Sequence, residues 1–293
     1  MMTSLHATET MSSDKLQTYV SKPTDYPHSP ARLLLLLTGG TGLHSVNNQI
    51  QADKFASEGF VVAMPDLFTG DPAPTSTTIV EEDTGSFLDQ VKLRAVETAK
   101  SFLIDMWLAR QSEDKIMRIL CRVIDGCKEK FADAIATGGG IHAVGYCIGG
   151  RYILLLGTER EWRWAEGGDE EEGGAPRKGP LIKVGALAHG ASITPHDFEK
   201  LKIPVSMVCV ENDPLFPEEL RTVGEDAMEK ANVEHEVKVY PGVPHGRSPT
   251  RCCPSFPDLT TVGFAVVGEY PDFNIKEAQA TAYEQMLDWV KSH

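Results

Sequence analysis

A chain of 293 residues, 41% hydrophobic and 24% charged, has the composition of a globular protein able to bury a core without staples. That length suits one large α/β domain or two small ones. The formal net charge of −14 argues against a nucleic-acid partner, which needs concentrated Lys and Arg, while leaving room for a small substrate.

The first residues, 1–29, read as a poorly ordered polar segment ahead of a single domain over 30–293. "MMTSLHATETMSSDKLQTYV" has no apolar stretch of the kind a secretory signal needs. No run approaches the roughly 18 apolar residues of a membrane-spanning helix, so no membrane partner is expected. "ARLLLLLT" (Ala31 to Thr38) is apolar throughout, as a strand buried on both faces of a parallel sheet is. "NNQIQADKFASEG" carries Ile50, Ala52, Phe55 and Ala56 at helical spacing and closes on Gly59. "FVVAMPDLF" is the next strand. Strand, helix and strand with short joints make a βαβ unit, so the class is α/β.

Residues from Phe87 to Ile135 read as helical, with a break near "RQSEDK". "IHAVGYC" is a further strand and "IGGRYILLLG" its helix. The charged, glycine-rich stretch 160–179 reads as a mobile surface insertion, with Trp162 expected to pack against a helix end together with Trp164. "IKVGALAHG", "IPVSMVCVENDP" and "HEVKVYPGVPHG" give three more strands, with a helix near "PEELRTVGEDAMEKA" and a closing amphipathic helix, "KEAQATAYEQMLDWVKSH".

Six cysteines are present, Cys121, Cys127, Cys147, Cys209, Cys252 and Cys253, and none forms a CxxC pair. They read as reduced thiols of a cytoplasmic protein, with neither a disulfide framework nor a metal site. Cys147 stands apart, in Gly145-x-Cys147-x-Gly149 between a strand and a helix. This is the pattern of a nucleophile elbow, where the turn is too tight for a Cβ on either flanking residue. A helix N-terminus favours an anion such as a thiolate, and the Ile148 backbone N–H can form half of an oxyanion hole. An α/β-hydrolase supplies nucleophile, acid and histidine in that order, each at a strand end. Asp213 and His245 each directly follow a strand and complete the order. Glu211 is a rival acid two positions from Asp213. His189 has the same local look as His245 but precedes the acid, the wrong order for the base.

The motif "GYCIGG", the segment "EGFVVAMPDLF", the "END" and "VPHG" regions and the closing "FAVVGEYPDF" resemble the dienelactone hydrolase family, the carboxymethylenebutenolidase-like α/β-hydrolases. The resemblance covers most of Ala31 to His293. It implies a mostly parallel central sheet with helices on both faces. It also implies a Cys147–Asp213–His245 triad acting by nucleophilic acyl transfer on a small-molecule ester or lactone. An oxyanion hole would come from the Ile148 N–H and a backbone N–H at Gly40. No metal or organic cofactor is implied, and a monomer or homodimer would suffice.

The chain departs from that family twice. Bacterial members carry a glutamate in the loop after the first of these strands, where this chain has Gly39, so activation falls to His245 and the helix dipole. The arginines that grip a substrate carboxylate in those members have no clear counterpart, Arg94 and Arg151 being unaligned candidates. In addition, "PHG" is followed by "RSPTRCCPSFPDLTTVG" before "FAVVGEY" resumes. Removing these seventeen residues, Arg247 to Gly263, restores "PHGFAVVGEY". The segment reads as a translated retained intron or as a true extra loop. The competing functional class is a non-catalytic protein of the same fold that binds a small molecule or a protein partner.

Overall fold

The computed structural model describes residues 4–11, 16–74, 102–162, 177–245, 263–268, 270 and 272–293. The calls on Arg94, Trp164, Cys252 and Cys253, and on the segment after His245 up to Val262, lie outside them.

The apolar runs become the centre of one sheet. Strands β3 (Arg32–Leu37), β4 (Phe60–Pro65), β5 (His142–Tyr146), β8 (Val184–Ala188), β9 (Val205–Val210) and β10 (His235–Tyr240) pair in parallel in the order β4-β3-β5-β8-β9-β10. Because successive residues of a strand point to opposite faces, the leucine run feeds two cores. Leu33, Leu35 and Leu37 pack with Ile116, Leu120 and Val123 of α3 (Glu113–Lys130) and with Ile153 of α5 (Ile148–Leu156). Leu34 and Leu36 pack with Phe55 of α1 (Val46–Ser57) and Met286 of α7 (Phe273–Ser292). Helices therefore cover both faces, and the architecture is the expected α/β-hydrolase fold.

The helical stretch breaks where the sequence places the break. Helix α2 is described over 102–110, and the Ser112 side chain caps α3 by accepting from Lys115 N–H at 3.3 Å. The short α4 (Ala132–Gly138) leads into β5, and α6 (Glu218–Lys230) lies between β9 and β10.

One expectation is corrected. A poorly ordered segment is expected over 1–29, but its described residues include two strands: β1 (Ser4–Met11) and β2 (Leu16–Pro23) form an antiparallel pair, and β2 pairs antiparallel with β4. Polar residues hid this strand. Buried Ser21 donates its hydroxyl to Asp53 at 2.7 Å, and the Tyr19 hydroxyl donates to the same carboxylate at 3.0 Å, so their burial leaves no polar group wanting. Only the ends of the 160–179 stretch are described: they form a two-stranded ribbon, β6 (Glu161–Trp162) with β7 (Arg177–Lys178), and Trp162 is packed in the core with residues of α5.

Candidate active site

In a parallel sheet all strands end on the same edge, so the loops after β3, β5, β8, β9 and β10 meet there. Those loops carry Gly39 and Gly40, Cys147, His189, Asp213 and His245 in turn.

Strand β5 ends at Tyr146 and α5 begins at Ile148, leaving Cys147 alone to make the turn. It does so at φ 54° and ψ −121°, a left-handed backbone that costs a residue with a Cβ about 1–3 kcal/mol. The flanking glycines make the bend feasible. A Cβ on Gly145 would lie 2.6 Å from the Gly149 carbonyl oxygen, and one on Gly149 would lie 2.3 Å from the Leu37 carbonyl oxygen. Backbone hydrogen bonds fasten the bend to the loop after β8: Cys147 N–H donates to Ala188 O, and Ala191 N–H donates to Cys147 O, both at 3.1 Å. Ile148 opens α5, so its N–H has no intrahelical acceptor.

Across the cleft, the loop after β3 is held from both sides. Ala73 N–H donates to Gly40 O at 2.8 Å, and Asn48 Nδ2 donates to Gly42 O at 2.7 Å and to the Thr41 hydroxyl at 3.0 Å. A Cβ at Gly39 would sit 3.0 Å from the Cys147 Cβ and 3.8 Å from its Sγ. A glutamate there would reach the thiol; this chain has nothing to offer it from that side.

Asp213 follows β9 and is buried, whereas Glu211 is exposed. One carboxylate oxygen of Asp213 accepts from Leu215 N–H at 2.9 Å, and the other accepts from His245 Nδ1 at 2.6 Å. Since the carboxylate only accepts, Nδ1 carries the proton and Nε2 is the nitrogen free for chemistry. That Nε2 is buried with no hydrogen bond of good geometry, yet the Cys147 sulfur lies close enough to act on it. Burial pulls the imidazolium's pKa down, but the Asp213 hydrogen bond and the Cys147 thiol together outweigh it and raise His245 to about 9. A hydrogen bond that tightens only when substrate arrives is ordinary for such a pair.

Cys147, His245 and Gly40 line one cavity of about 300 Å³, counted out to its open mouth, together with Gly39, His189 and Gly263. It places a thiol beside a carboxylate-oriented imidazole. The other described cysteines differ sharply from Cys147: Cys121, Cys127 and Cys209 are buried, and burial pushes the thiols of Cys127 and Cys209 up to about 12.

Arg151 is not in this cavity. Its guanidinium donates to Asp197 at 2.9 and 3.2 Å and to Glu113 at 2.6 Å, tying α5 to α3 and to the turn Pro195–Phe198. Its charge is spent on structure, so it does not clamp a substrate. His189, set aside by the order rule, lies in the cavity with its ring centroid 5.2 Å from that of His245. The signal for it was in "GALAHGAS" all along, a polar ring placed directly after a buried strand.

A sequence model of the dienelactone hydrolase family matches residues 16–162 and 173–293. The hydrolase pyvD of Aspergillus violaceofuscus is 28% identical over 247 residues, covering 83% of this chain and 81% of its own. The hydrolase tropI of Talaromyces stipitatus is 26% identical over 284 residues, 95% and 87% of the two chains. Among solved structures, a Klebsiella pneumoniae protein assigned as a dienelactone hydrolase superposes with a TM-score of 0.65 at 15% identity, covering 100% of both chains. A thermophilic esterase from Thermogutta terrifontis gives 0.60 at 13% identity, covering 98% and 94%.

Proposed function

The chain belongs to the dienelactone hydrolase family, and on that footing we propose that it hydrolyses small lactones or carboxylic esters through a Cys147 thioester. The observation that carries this reading is the 2.6 Å contact of His245 Nδ1 with Asp213, made in the same cavity as the strained Cys147. A protonated His245 beside the sulfur has two tasks in this reading, to accompany the sulfur as it attacks and to act as the acid for the leaving group.

The thiolate attacks the ester carbonyl carbon, and the developing oxyanion is met by the backbone N–H groups of Ile148 and Gly40. His245 gives its proton to the departing alkoxide, leaving a thioester on Cys147 and a neutral imidazole that Asp213 keeps in the useful tautomer. Water then enters, His245 takes one of its protons, and the hydroxyl oxygen attacks the thioester. The C–S bond breaks, the acid leaves, and the thiolate–imidazolium pair is restored.

Hydrolysis of p-nitrophenyl acetate tests this directly. Cys147→Ala should lower kcat/KM by about 10³-fold or more, and iodoacetamide should abolish wild-type turnover by alkylating Cys147. Equal rates in wild type and Cys147→Ala would remove the enzyme reading and leave a binding protein on a hydrolase scaffold.

A further inference from the structure

His189 is a buried polar group in the cavity that the triad does not use, and unlike Asn48, which donates to Gly42 and Thr41, it has no side-chain hydrogen-bond partner among the described residues. It is 1% exposed, and neither ring nitrogen has a hydrogen bond of good geometry among the described residues, apart from contact with its own backbone. Three aromatic rings pack around it, Tyr146 at 5.9 Å, Phe264 at 6.0 Å and His245 at 5.2 Å between centroids. Burial, and then the neighbouring His245, hold its pKa well below the usual histidine value, so the ring stays neutral and keeps one N–H donor. A buried donor without an acceptor is unfavourable, and the ring is nonetheless held there on a backbone at φ 39°. Gly263 permits its placement, because a Cβ at that position would lie 2.1 to 2.5 Å from Cε1, Nε2 and Nδ1. The nitrogen-bearing edge of the ring therefore packs against Gly263, and its nitrogens meet a substrate oxygen only when the ring or the glycine moves aside.

The sheet order says which reacting atom this edge can serve. Strand β3, with Gly39 and Gly40, flanks β5 on one side, and β8, with His189, flanks it on the other, followed by β9 and β10. The oxyanion loop and His189 thus stand on opposite sides of Cys147. His189 shares its side with His245, where the alkoxide leaves during acylation and where water arrives during deacylation. These are the same position, since the second half-reaction runs the first backwards with water in place of the alcohol.

Resting on the proposed thioester mechanism, we infer that His189 is a further catalytic residue whose ring N–H donates a hydrogen bond to this oxygen, alkoxide in one half-reaction and water in the other. No proton changes hands at His189. In acylation the alkoxide accepts the His189 hydrogen bond with one lone pair and takes the His245 proton on another. In deacylation the water accepts the same hydrogen bond, gives one proton to His245 Nε2 and attacks with its remaining lone pair. The ligand class is a hydroxylic oxygen, and the demand for His189 grows with the basicity of the leaving group.

The test compares wild type, His189→Phe, which keeps a ring without nitrogen, and His189→Gln, which keeps a donor. With p-nitrophenyl acetate the leaving group needs little help, so His189→Phe should release one equivalent of nitrophenol at nearly the wild-type rate. Steady turnover should then be about ten- to a hundredfold slower, because the thioester waits for water. With an alkyl acetate kcat/KM should fall by a similar factor, and His189→Gln should recover most of both losses. If burst and steady rates fall together, or neither falls, or His189→Gln behaves as His189→Phe does, the ring only fills space and the inference is overturned. Should the phenylalanine variant not fold, His189→Leu read against His189→Gln makes the same comparison. A wild type whose turnover survives loss of Cys147 overturns the underlying mechanism, whereas Cys147-dependent turnover indifferent to His189 overturns this inference alone.

Discussion

The two halves of the cavity are held by different physics. The half around Cys147, Gly39 to Gly42 and Gly145 to Gly150, is fixed by backbone: a left-handed Cys147, two glycines whose Cβ atoms would strike carbonyl oxygens, and hydrogen bonds between main-chain groups. The histidine half is fixed by side chains. His245 is oriented by one 2.6 Å contact with Asp213, at the end of a loop whose continuation is the extra segment. Beyond that segment the chain is again anchored through side chains, as Tyr270 donates to Gly263 O at 3.2 Å, Gln279 donates to Phe264 O at 3.1 Å, and Val267 N–H donates to Gln51 at 2.9 Å. A backbone-built half can only be kept or broken. A side-chain-built half can be tuned or silenced while the fold survives.

The sharpest break of this contrast compares one substitution in each half. Asp213→Asn should lower kcat by about 10⁴-fold, since the amide favours the wrong His245 tautomer, with the sheet intact and the Tm at pH 7.5 lower by a few degrees at most. Gly149→Ala should act on the fold, because its Cβ would sit 2.3 Å from the Leu37 carbonyl oxygen and 2.6 Å from the carbonyl carbon. Main chain must shift to admit it, at a cost of about 3 kcal/mol or more. Activity assays and thermal melts on both variants check the pair. A stable Gly149→Ala would show that the elbow is softer than its geometry implies.

The same contrast explains what could be read from the sequence. The sheet is legible because buried parallel strands must be apolar on both faces, as Leu33 to Leu37 are. The elbow is legible because its sterics demand glycine at fixed offsets from Cys147, and a steric demand leaves a pattern of residue types. Strand β2 is not legible, since Thr18 and Ser21 are fully buried yet polar and the Asp53 carboxylate that accepts from Ser21 lies far along the chain. His189 escapes for a related reason: chain order identifies a triad base but carries nothing about which other rings the strand ends gather. Arg151 shows the converse, because a lone arginine after the elbow looks like a substrate clamp until Asp197 and Glu113 come to meet it.

A gentler probe of the histidine half removes the extra segment. His245 before it and Gly263 after it both pack on the His189 ring, so the two ends already lie beside one another. Deleting Arg247 to Gly263 leaves Gly246 to take the place of Gly263 and joins it to Phe264, with no change of residue type at the junction. The shortened chain should fold with the same sheet. A smaller loop also restricts the positions open to His245, and sub-ångström placement matters for a proton carrier. We expect kcat on p-nitrophenyl acetate to rise by about tenfold, with KM little changed. A shortened protein that loses activity would identify the segment as a working part of the site.

The smallest expected effect links the halves through the protons on His245. Its pKa in the folded chain is raised to about 9 from 6.5, against the pull of burial, by Asp213 and Cys147. The folded state therefore holds this proton more tightly than the unfolded state does. Its contribution to stability is fully present below pH 6.5 and is lost as pH rises through 9. The side chain is mostly buried, so solvent screens the pair little, and the loss amounts to at most about 3 kcal/mol. Thermal melts at pH 6, 7.5 and 9 should show the wild-type Tm falling across that window by about 5 °C. Cys147→Ala should flatten the fall in part, because the sulfur supplies some of the attraction from the backbone-built half. Asp213→Asn should flatten it further, because the carboxylate hydrogen bond is the larger upward cause. If Cys147→Ala leaves the slope untouched, the sulfur and the imidazole do not share a proton in the resting enzyme. The ion pair would then have to form only when substrate brings them together.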